Sequence, residues 1–255
     1  MVSLKKIFGL SGRTALVTGS SRGIGAAIAL GLAEAGAHVI LHGQLASSAD
    51  SKLKEILELG GSAESTYGDL NEKGIGRKII EQCEKRTGHL DIVIINASAQ
   101  INNTLRDLSN SELNFQINVN LHSTIEILQT CLPLMASRNW GRVVNIGSIN
   151  QSLPNPVVTA YAATKAAQHN LIQSQAREYA KFGIVLNTLS PGLIDTDRNA
   201  IQKEKGEKHW KKYTQKANWM GREGQPTEMV GAAIFLSSNA SSFITGEVIS
   251  LSGGC

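Results

Sequence analysis

The 255-residue chain is 42% hydrophobic but only 5% aromatic, which suits one large α/β domain with a core of small aliphatic side chains rather than two full domains. Its 25 basic and 21 acidic residues give a net charge of +4, and no long basic block sits beside aromatic residues, so nucleic-acid binding has no support. The three cysteines, Cys83, Cys131 and Cys255, are widely spaced, the apolar run near the start is too short for a signal peptide, and no run reaches membrane-spanning length; a soluble cytoplasmic protein with reduced thiols is expected.

Taken in order, Thr14-Ala15-Leu16-Val17-Thr18 reads as a strand and Ala26 to Ala35 as a small-residue amphipathic helix. The turn between them, Gly19-Ser20-Ser21-Arg22-Gly23-Ile24-Gly25, carries glycines at its bends. Gly19 can adopt angles closed to other residues, Gly23 lets a ligand approach the backbone, and Gly25 lets the helix pack on the strand. Unpaired amides and the positive end of the helix dipole then face one point, a cradle for a dinucleotide pyrophosphate. On its own such a turn is equally compatible with a structural role. His38 to His42 is a second strand closed by Gly43, and a helix over about 47–59 ends at Gly60-Gly61. Ala63 to Tyr67 is a third strand, about 71–86 a helix stopped by Gly88, and Leu90 to Ile95 a strand apolar enough to be buried on both faces. A long helix over about 111–137, a strand at Arg142 to Ile146 and a second long helix over about 160–182 follow. Ile184 to Leu189 is a sixth strand, broken by Pro191-Gly192, and a helix over about 227–236 leads to a last strand at Val248 to Leu251. Repeated units of this kind give a single-domain, doubly wound α/β Rossmann fold with a parallel sheet of about seven strands and ligands at their carboxyl ends.

Chemistry is therefore expected after the fourth to sixth strands. Ser148 follows the fifth strand directly, and Tyr161 and Lys165 lie one helical turn apart on the next helix, so their side chains share a face. An ammonium about 4 Å from a phenol contributes on the order of 4 kcal/mol at an effective dielectric near 20, enough to bring such a hydroxyl into the range of proton exchange at neutral pH.

With these residues in place, the chain resembles the short-chain dehydrogenase/reductase family over nearly its whole length. The matching elements are Thr18-Gly19-x-x-x-Gly23-Ile24-Gly25, Asp69-Leu70, Asn96-Ala97, Asn120, Ser148, Tyr161-x-x-x-Lys165 and Pro191-Gly192. The resemblance implies that Tyr161 is the general acid/base and that Ser148 polarises the substrate oxygen. It implies that Lys165 depresses the tyrosine pKa and binds the nicotinamide ribose, and that Asn120 holds a water of the proton relay. Gly19, Ser21, Arg22, Gly23, Ile24 and Gly25 would hold the pyrophosphate, Asp69 and Leu70 the adenine, and Ile194 and Thr196 the carboxamide, with Asn96, Ala97, Pro191 and Gly192 completing the cofactor site. A homotetramer built on the two long helices is also implied. Two positions depart from the family pattern: Ile95-Asn96-Ala97-Ser98 replaces Asn-Asn-Ala-Gly, and Gly43-Gln44 follows the second strand where an acid or arginine is common. The missing acid, with Arg22 placed to reach the same ribose, favours NADP(H), NAD(H) being the alternative.

Taken singly, Asn120, Ser148 and the Tyr161/Lys165 pair each have ordinary structural readings; together, at the ligand end of the sheet, they point to catalysis. The six histidines show no metal-ligand spacing and are expected in surface or core roles. The stretch from Arg198 to Trp219 is the least family-like and is basic; its glutamates Glu204 and Glu207 are placed to pair with Lys208 and Lys211, and Trp210, Tyr213, Trp219 and Met220 to form an apolar underside. In the resembling family this region, 193–220 here, is the substrate lid. Ser98, Gln100, Asn150, Gln151 and Trp210 are candidate substrate contacts. Their polarity favours a sugar, sugar acid or polyol over the alternative of a 3-oxoacyl carrier-protein thioester. A non-catalytic dinucleotide sensor is the remaining alternative.

Overall fold

The computed structural model describes residues 3–153 and 155–255. Seven parallel strands form one sheet, β1 (Thr14–Val17), β2 (His38–Gly43), β3 (Ser62–Tyr67), β4 (Ile92–Ile95), β5 (Gly141–Ile146), β6 (Ile184–Pro191) and β7 (Val248–Leu251), in the order β3-β2-β1-β4-β5-β6-β7. The order reverses between β1 and β4, in register at Leu16 opposite Val93. There the crossovers leave in opposite directions and open a crevice at the carboxyl ends.

Alternation along each strand divides the core into two layers. Leu16, Val93, Val143 and Leu186 face a layer covered by the helices α4 (Ile75–Thr87), α6 (Ser123–Ser137) and α7 (Thr159–Tyr179). Ala15, Val17, Ile94 and Val144 face the other, covered by α2 (Gly23–Glu34), α3 (Asp50–Glu58) and α10 (Val230–Ser237). Cys83 and Cys131 fill the first layer, where burial pushes each thiol up to about 12. The short helix α1 (Leu4–Phe8), which the sequence pattern did not suggest, lays Phe8 against Phe235 at 6.4 Å between ring centroids.

Helix starts differ from the periodicity where side chains hold the chain in a turn. The helix expected from about 71 begins at Ile75, because Asp69 Oδ1 accepts the Asn71 N–H at 2.9 Å and Glu126 accepts the N–H groups of Gly74 and Gly76 at 2.7 and 3.0 Å. Likewise α3 begins at Asp50, since Ser48 Oγ accepts the Leu45 N–H. The helix expected over 111–137 is three pieces: α5 (Asn110–Ile117), started by a Ser109/Glu112 capping box, a π-helical turn at Asn118–His122, and α6. An extra residue in one turn rotates the rest of the helix and often marks a functional position; here the turn contains Asn120.

Helix α2 lies so close to α10 that a β-carbon on Gly31 would stand 2.2 Å from Val230 Cγ1. Gly31→Ala should therefore lower stability by about 1–3 kcal/mol of overpacking, against the ~0.5–1 kcal/mol that alanine gains in a helix. Thermal unfolding should show Gly31→Ala below wild type and Gly31→Ala/Val230→Ala recovering most of the loss; a neutral single variant would show the contact to be soft.

Candidate active site

The cofactor cradle forms where three chain segments meet the glycine turn. A β-carbon on Gly19, whose φ is +62°, would stand 2.9 Å from Ala97 Cα, and one on Gly25 would stand 2.4 Å from both Asn96 Nδ2 and Gly19 O. Thr196 Cγ2 lies 3.4 Å from the corresponding point on Gly23, so the segment after β6 closes the third side. Asn96 Nδ2 donates to Thr18 O and Gly19 O at 2.9 and 3.0 Å, making it the brace of the turn. No side chain caps the N-terminus of α2, so its first amides are open to an anion. Ser21 and Ile24 flank the turn partly buried, whereas the Arg22 side chain is 80% exposed, with Nε 3.4 Å from Asp197 Oδ2. These features fit a dinucleotide.

The side of the glycine turn facing Asp69 is held by a residue that sequence reasoning left among the ordinary histidines. His42, at the end of β2, accepts the Gly19 N–H on Nδ1 at 3.2 Å and donates from Nε2 to Gly68 O at 3.1 Å. It ties the glycine turn to the segment carrying Asp69, and burial lowers its pKa to about 4, the Gly68 bond opposing this, so the neutral ring keeps Nδ1 as an acceptor. Asp69 in turn accepts Gln44 Nε2 at 2.9 Å, and Leu70 is buried in the core. Only the distance between paired strands makes His42 a strut; its spacing in the chain carries no signal.

The candidate reaction centre lies at the end of β5. Ser148 Oγ accepts the Asn150 N–H at 3.2 Å and Gln151 Oε1 accepts the Ser148 N–H at 3.4 Å. Gln151 thus spends its carbonyl on positioning Ser148, leaving its amide nitrogen for other contacts. Tyr161 and Lys165 project from the first two turns of α7, both buried. Lys165 Nζ donates to Ile146 O at 2.8 Å and stands 5.8 Å from the Tyr161 ring centroid. Burial pushes the lysine pKa down to about 7, and the nearby Arg198 charge adds to the depression. Asn120 is fully buried; its Nδ2 donates to Ala99 O and Thr164 Oγ1, each at 2.9 Å, and its Oδ1 accepts the Ala99 N–H at 2.8 Å. The side chain pins the loop after β4 to α7, and Oδ1, with one N–H accepted, keeps a lone pair.

The rim holds the second residue that sequence reasoning missed. Arg198 Nη1 donates to Tyr161 Oη at 3.4 Å and Gln100 Oε1 at 3.3 Å, while Nη2 donates to Ser98 O and Oγ at 2.9 and 2.6 Å. It brings Ser98 and Gln100 to the tyrosine. A charged residue two positions beyond Thr196 was the available signal. Pro191 ends β6, Gly192 N–H donates to Leu251 O, and Ile194 bridges to Gly224. The following segment forms α8 (Ala200–Lys203) and α9 (Glu207–Ala217). It departs from expectation in two ways. Lys203 pairs with Asp195 and Glu223 and lies 5.1 Å from the Trp210 ring, whereas no ion pair joins Glu204 to Lys208 or Glu207 to Lys211. Trp210 stacks on Tyr213 at 5.5 Å, but Trp219 and Met220 are exposed, because their amides bond to Gly254 and Gly253 in a surface turn.

The sequence model of the family described as Enoyl-(Acyl carrier protein) reductase matches residues 19–255. The chain belongs to the short-chain dehydrogenase/reductase family. It is an oxidoreductase of that family. It is 35% identical over 248 residues to gluconate 5-dehydrogenase of Gluconobacter oxydans (strain 621H), covering 97% of this chain and 96% of the relative. A solved structure from Agrobacterium tumefaciens C58, described as 3-oxoacyl (acyl-carrier-protein) reductase with NADP bound, is 59% identical with a TM-score of 0.97, over 100% of this chain and 98% of that one. A gluconate 5-dehydrogenase from Burkholderia cenocepacia J2315, solved with NADP and tartrate, is 33% identical with a TM-score of 0.92 over 98% of each chain. Among the described residues no three His, Cys, Asp or Glu side chains group to hold a metal, and no helix is long and apolar enough to cross a membrane.

The buried lysine of this dehydrogenase/reductase carries a pH signature. Its folded-state pKa of about 7 lies below the ordinary 10.5, so the unfolded chain holds more protons between those values and stability rises with pH across that window. Thermal unfolding of the cofactor-free protein from pH 7 to 10 should show a component with this slope that is missing in Lys165→Met; parallel curves for the two proteins would mean the lysine is not desolvated.

Proposed function

We propose that the chain interconverts a secondary alcohol and a ketone on a small polar compound, a sugar, sugar acid or polyol, with NADP(H). The observation carrying this reading is the gathering of Ser98 and Gln100 onto the guanidinium that touches Tyr161 Oη, which builds the rim of the reacting position from hydroxyl, amide and guanidinium groups. Such a rim disfavours ligands that leave those groups unpaired. The relatives named gluconate 5-dehydrogenase support it. A 3-oxoacyl carrier-protein reductase is the second reading, favoured by the 59% identity to the Agrobacterium protein. Polyols, sugar acids and β-ketoacyl thioesters, compared by kcat/KM with nicotinamide absorbance as readout, separate the two; a thioester outperforming every sugar-type compound would reverse the order.

When bound, a nicotinamide supplies or accepts the hydride; the chain's residues handle the proton and the substrate oxygen. In the reductive direction Tyr161 Oη–H passes its proton to that oxygen, and Ser148 Oγ–H donates a hydrogen bond to the same atom. The Asn150 amide already occupies one Ser148 lone pair, which turns the hydroxyl proton outward. Lys165, fixed by Ile146 O, holds the nicotinamide ribose and returns a proton toward Tyr161, with a water beside Asn120 as the next member of the relay. Asp69 and Leu70 hold the adenine, Ile194 and Thr196 the carboxamide, and residues 193–220 cover the substrate, with Asn150, Gln151 and Trp210 as further contacts. Assembly of four copies through the helices at 110–137 and 159–179 and a cytoplasmic location belong to the same reading; the exposed Ala163 and Ala166 on α7 leave room for a neighbouring helix.

NADP(H) is supported by the neighbours solved with NADP and by two local features. A β-carbon on Gly43 would stand 2.3 Å from Ser48 Cβ, so the acid that would select NAD(H) at that position is sterically excluded. Arg22 is exposed and, among the described residues, pairs with Asp197 alone, so it can exchange that carboxylate for a 2′-phosphate. One charged contact is worth about 1.5–3 kcal/mol, or roughly ten- to hundredfold in kcat/KM. Wild type should prefer NADP(H) by that factor and Arg22→Ala should lose most of the preference; equal efficiency with both cofactors in wild type would remove the assignment.

Tyr161→Phe deletes the proton donor and keeps the ring. Turnover should fall by about 10²–10⁴, with the dissociation constant for NADPH, read by fluorescence, nearly unchanged. Retention of more than about a tenth of wild-type turnover would falsify the acid/base role.

A further inference from the structure

Arg198 is a cation at the rim of the candidate site with no counter-ion among the described residues. Its four hydrogen-bond partners, Tyr161 Oη, Gln100 Oε1, Ser98 O and Ser98 Oγ, are all neutral, and Cζ lies 5.7 Å from the Tyr161 ring centroid. Neighbouring cations are treated differently: Arg22 pairs with Asp197, and Lys203 with Asp195 and Glu223. No ion pair among the described residues involves Arg198 or Lys165. Two basic side chains therefore flank the Tyr161 ring, Lys165 Nζ at 5.8 Å and Arg198 Cζ at 5.7 Å from its centroid, and among the described residues no carboxylate pairs with either. Burial lowers the proton affinity of Lys165, and the Arg198 charge lowers it further, as expected of an uncompensated positive site. The Arg198 side chain is exposed at the mouth rather than packed into the core, so its position serves the cleft more than the fold. A guanidinium held in this way has a planar donor edge matched to a carboxylate.

We propose that Arg198 recognises a carboxylate on the substrate, so that the site selects hydroxy acids and keto acids over neutral polyols. This deepens the reading of the site as one for small polar substrates and rests on it. In the free enzyme Nη1 occupies the Tyr161 oxygen, the atom the substrate oxygen must reach. An entering alcohol, donating its O–H to Tyr161 Oη, replaces that hydrogen bond and frees one N–H of Nη1, while Gln100 keeps the other and Ser98 keeps hold of Nη2. The freed edge then meets the carboxylate. A charge-assisted bond of about 2.8 Å from a nitrogen that starts 3.4 Å from Tyr161 Oη places the anion roughly 4–6 Å from the reacting oxygen.

Matched pairs that differ only in the anion test this: D-gluconate against D-glucitol, and L-tartrate against L-threitol. The NADP-dependent kcat/KM of each member is measured on wild type, Arg198→Gln and Arg198→Lys, together with calorimetric binding of each acid to the NADP-loaded protein. Wild type should favour the acid of at least one pair by tenfold or more. Arg198→Gln should lower the acid-to-neutral ratio by roughly 10- to 100-fold, mainly through KM, as expected for one charged contact, and Arg198→Lys should restore part of it. An unchanged ratio, or equal losses on acid and neutral members, overturns the proposal. Should no pair be turned over, calorimetry decides: weaker acid binding by Arg198→Gln supports it, and equal binding, or no binding by wild type, overturns it. The two readings fail separately. Efficient oxidation of glucitol or threitol with no preference for the acids keeps the polar-substrate reading and removes the role of Arg198. Reduction of a β-ketoacyl thioester with no turnover of any of the four compounds removes the polar-substrate reading.

Discussion

The structure depends on the seam between the first and fourth strands. Thr18 Oγ1 accepts the N–H groups of Asn96 and Ala97 at 2.9 and 3.0 Å and donates to Ile94 O, while Asn96 returns two bonds from Nδ2 to Thr18 and Gly19. These bonds cross the point where the sheet order reverses and where neighbouring loops part company. Without them the strand ends would splay and the amides of the glycine turn would lose their common direction. Thr18 is fully buried, so its hydrogen bonds form away from water, where a lost partner costs about 1–3 kcal/mol. The cofactor cradle is a consequence of this seam, and His42 extends it across the second strand to Gly68.

A second anchor organises the chemistry. The carbonyl of Ile146 holds the Lys165 ammonium, and two residues later Ser148 is fixed by the turn that begins with it. Lys165 and Ser148 are thus both referenced to the end of one strand. The π-helical turn sets the remaining member. It swings Asn120 to bond Ala99 on one side and Thr164 on the other, so the loop after the fourth strand and the tyrosine-bearing helix move as one piece.

Charge gives the site its character. A buried lysine and an exposed guanidinium flank the tyrosine, whereas the ion pairs of the segment after the sixth strand join Lys203 to Asp195 and Glu223. Lys203 is held by paired charge and Arg198 by bonds to neutral groups, which are easier to exchange for a ligand.

Much of this was legible in the chain alone. The alternation of apolar runs and glycine stops pointed to a parallel sheet of about seven strands, because a strand buried on both faces and a helix packed on a sheet each impose a hydrophobic period; the strand order came only from the structure. The placement of the glycine turn between the first strand and helix, of Ser148 after the fifth strand, and of Tyr161 and Lys165 on one helix was equally readable, because strand ends and a four-residue helical spacing are local properties. Helix starts at Ile75 and Asp50 were not, because side-chain bonds from Asp69, Glu126 and Ser48 override periodicity. The roles of His42, Arg198 and Gln151, and the exposure of Trp219 and Met220, were decided only by tertiary structure. Each depends on partners 3 to 100 residues away, and a hydrogen bond is set by distance and direction in space, which neither composition nor period encodes.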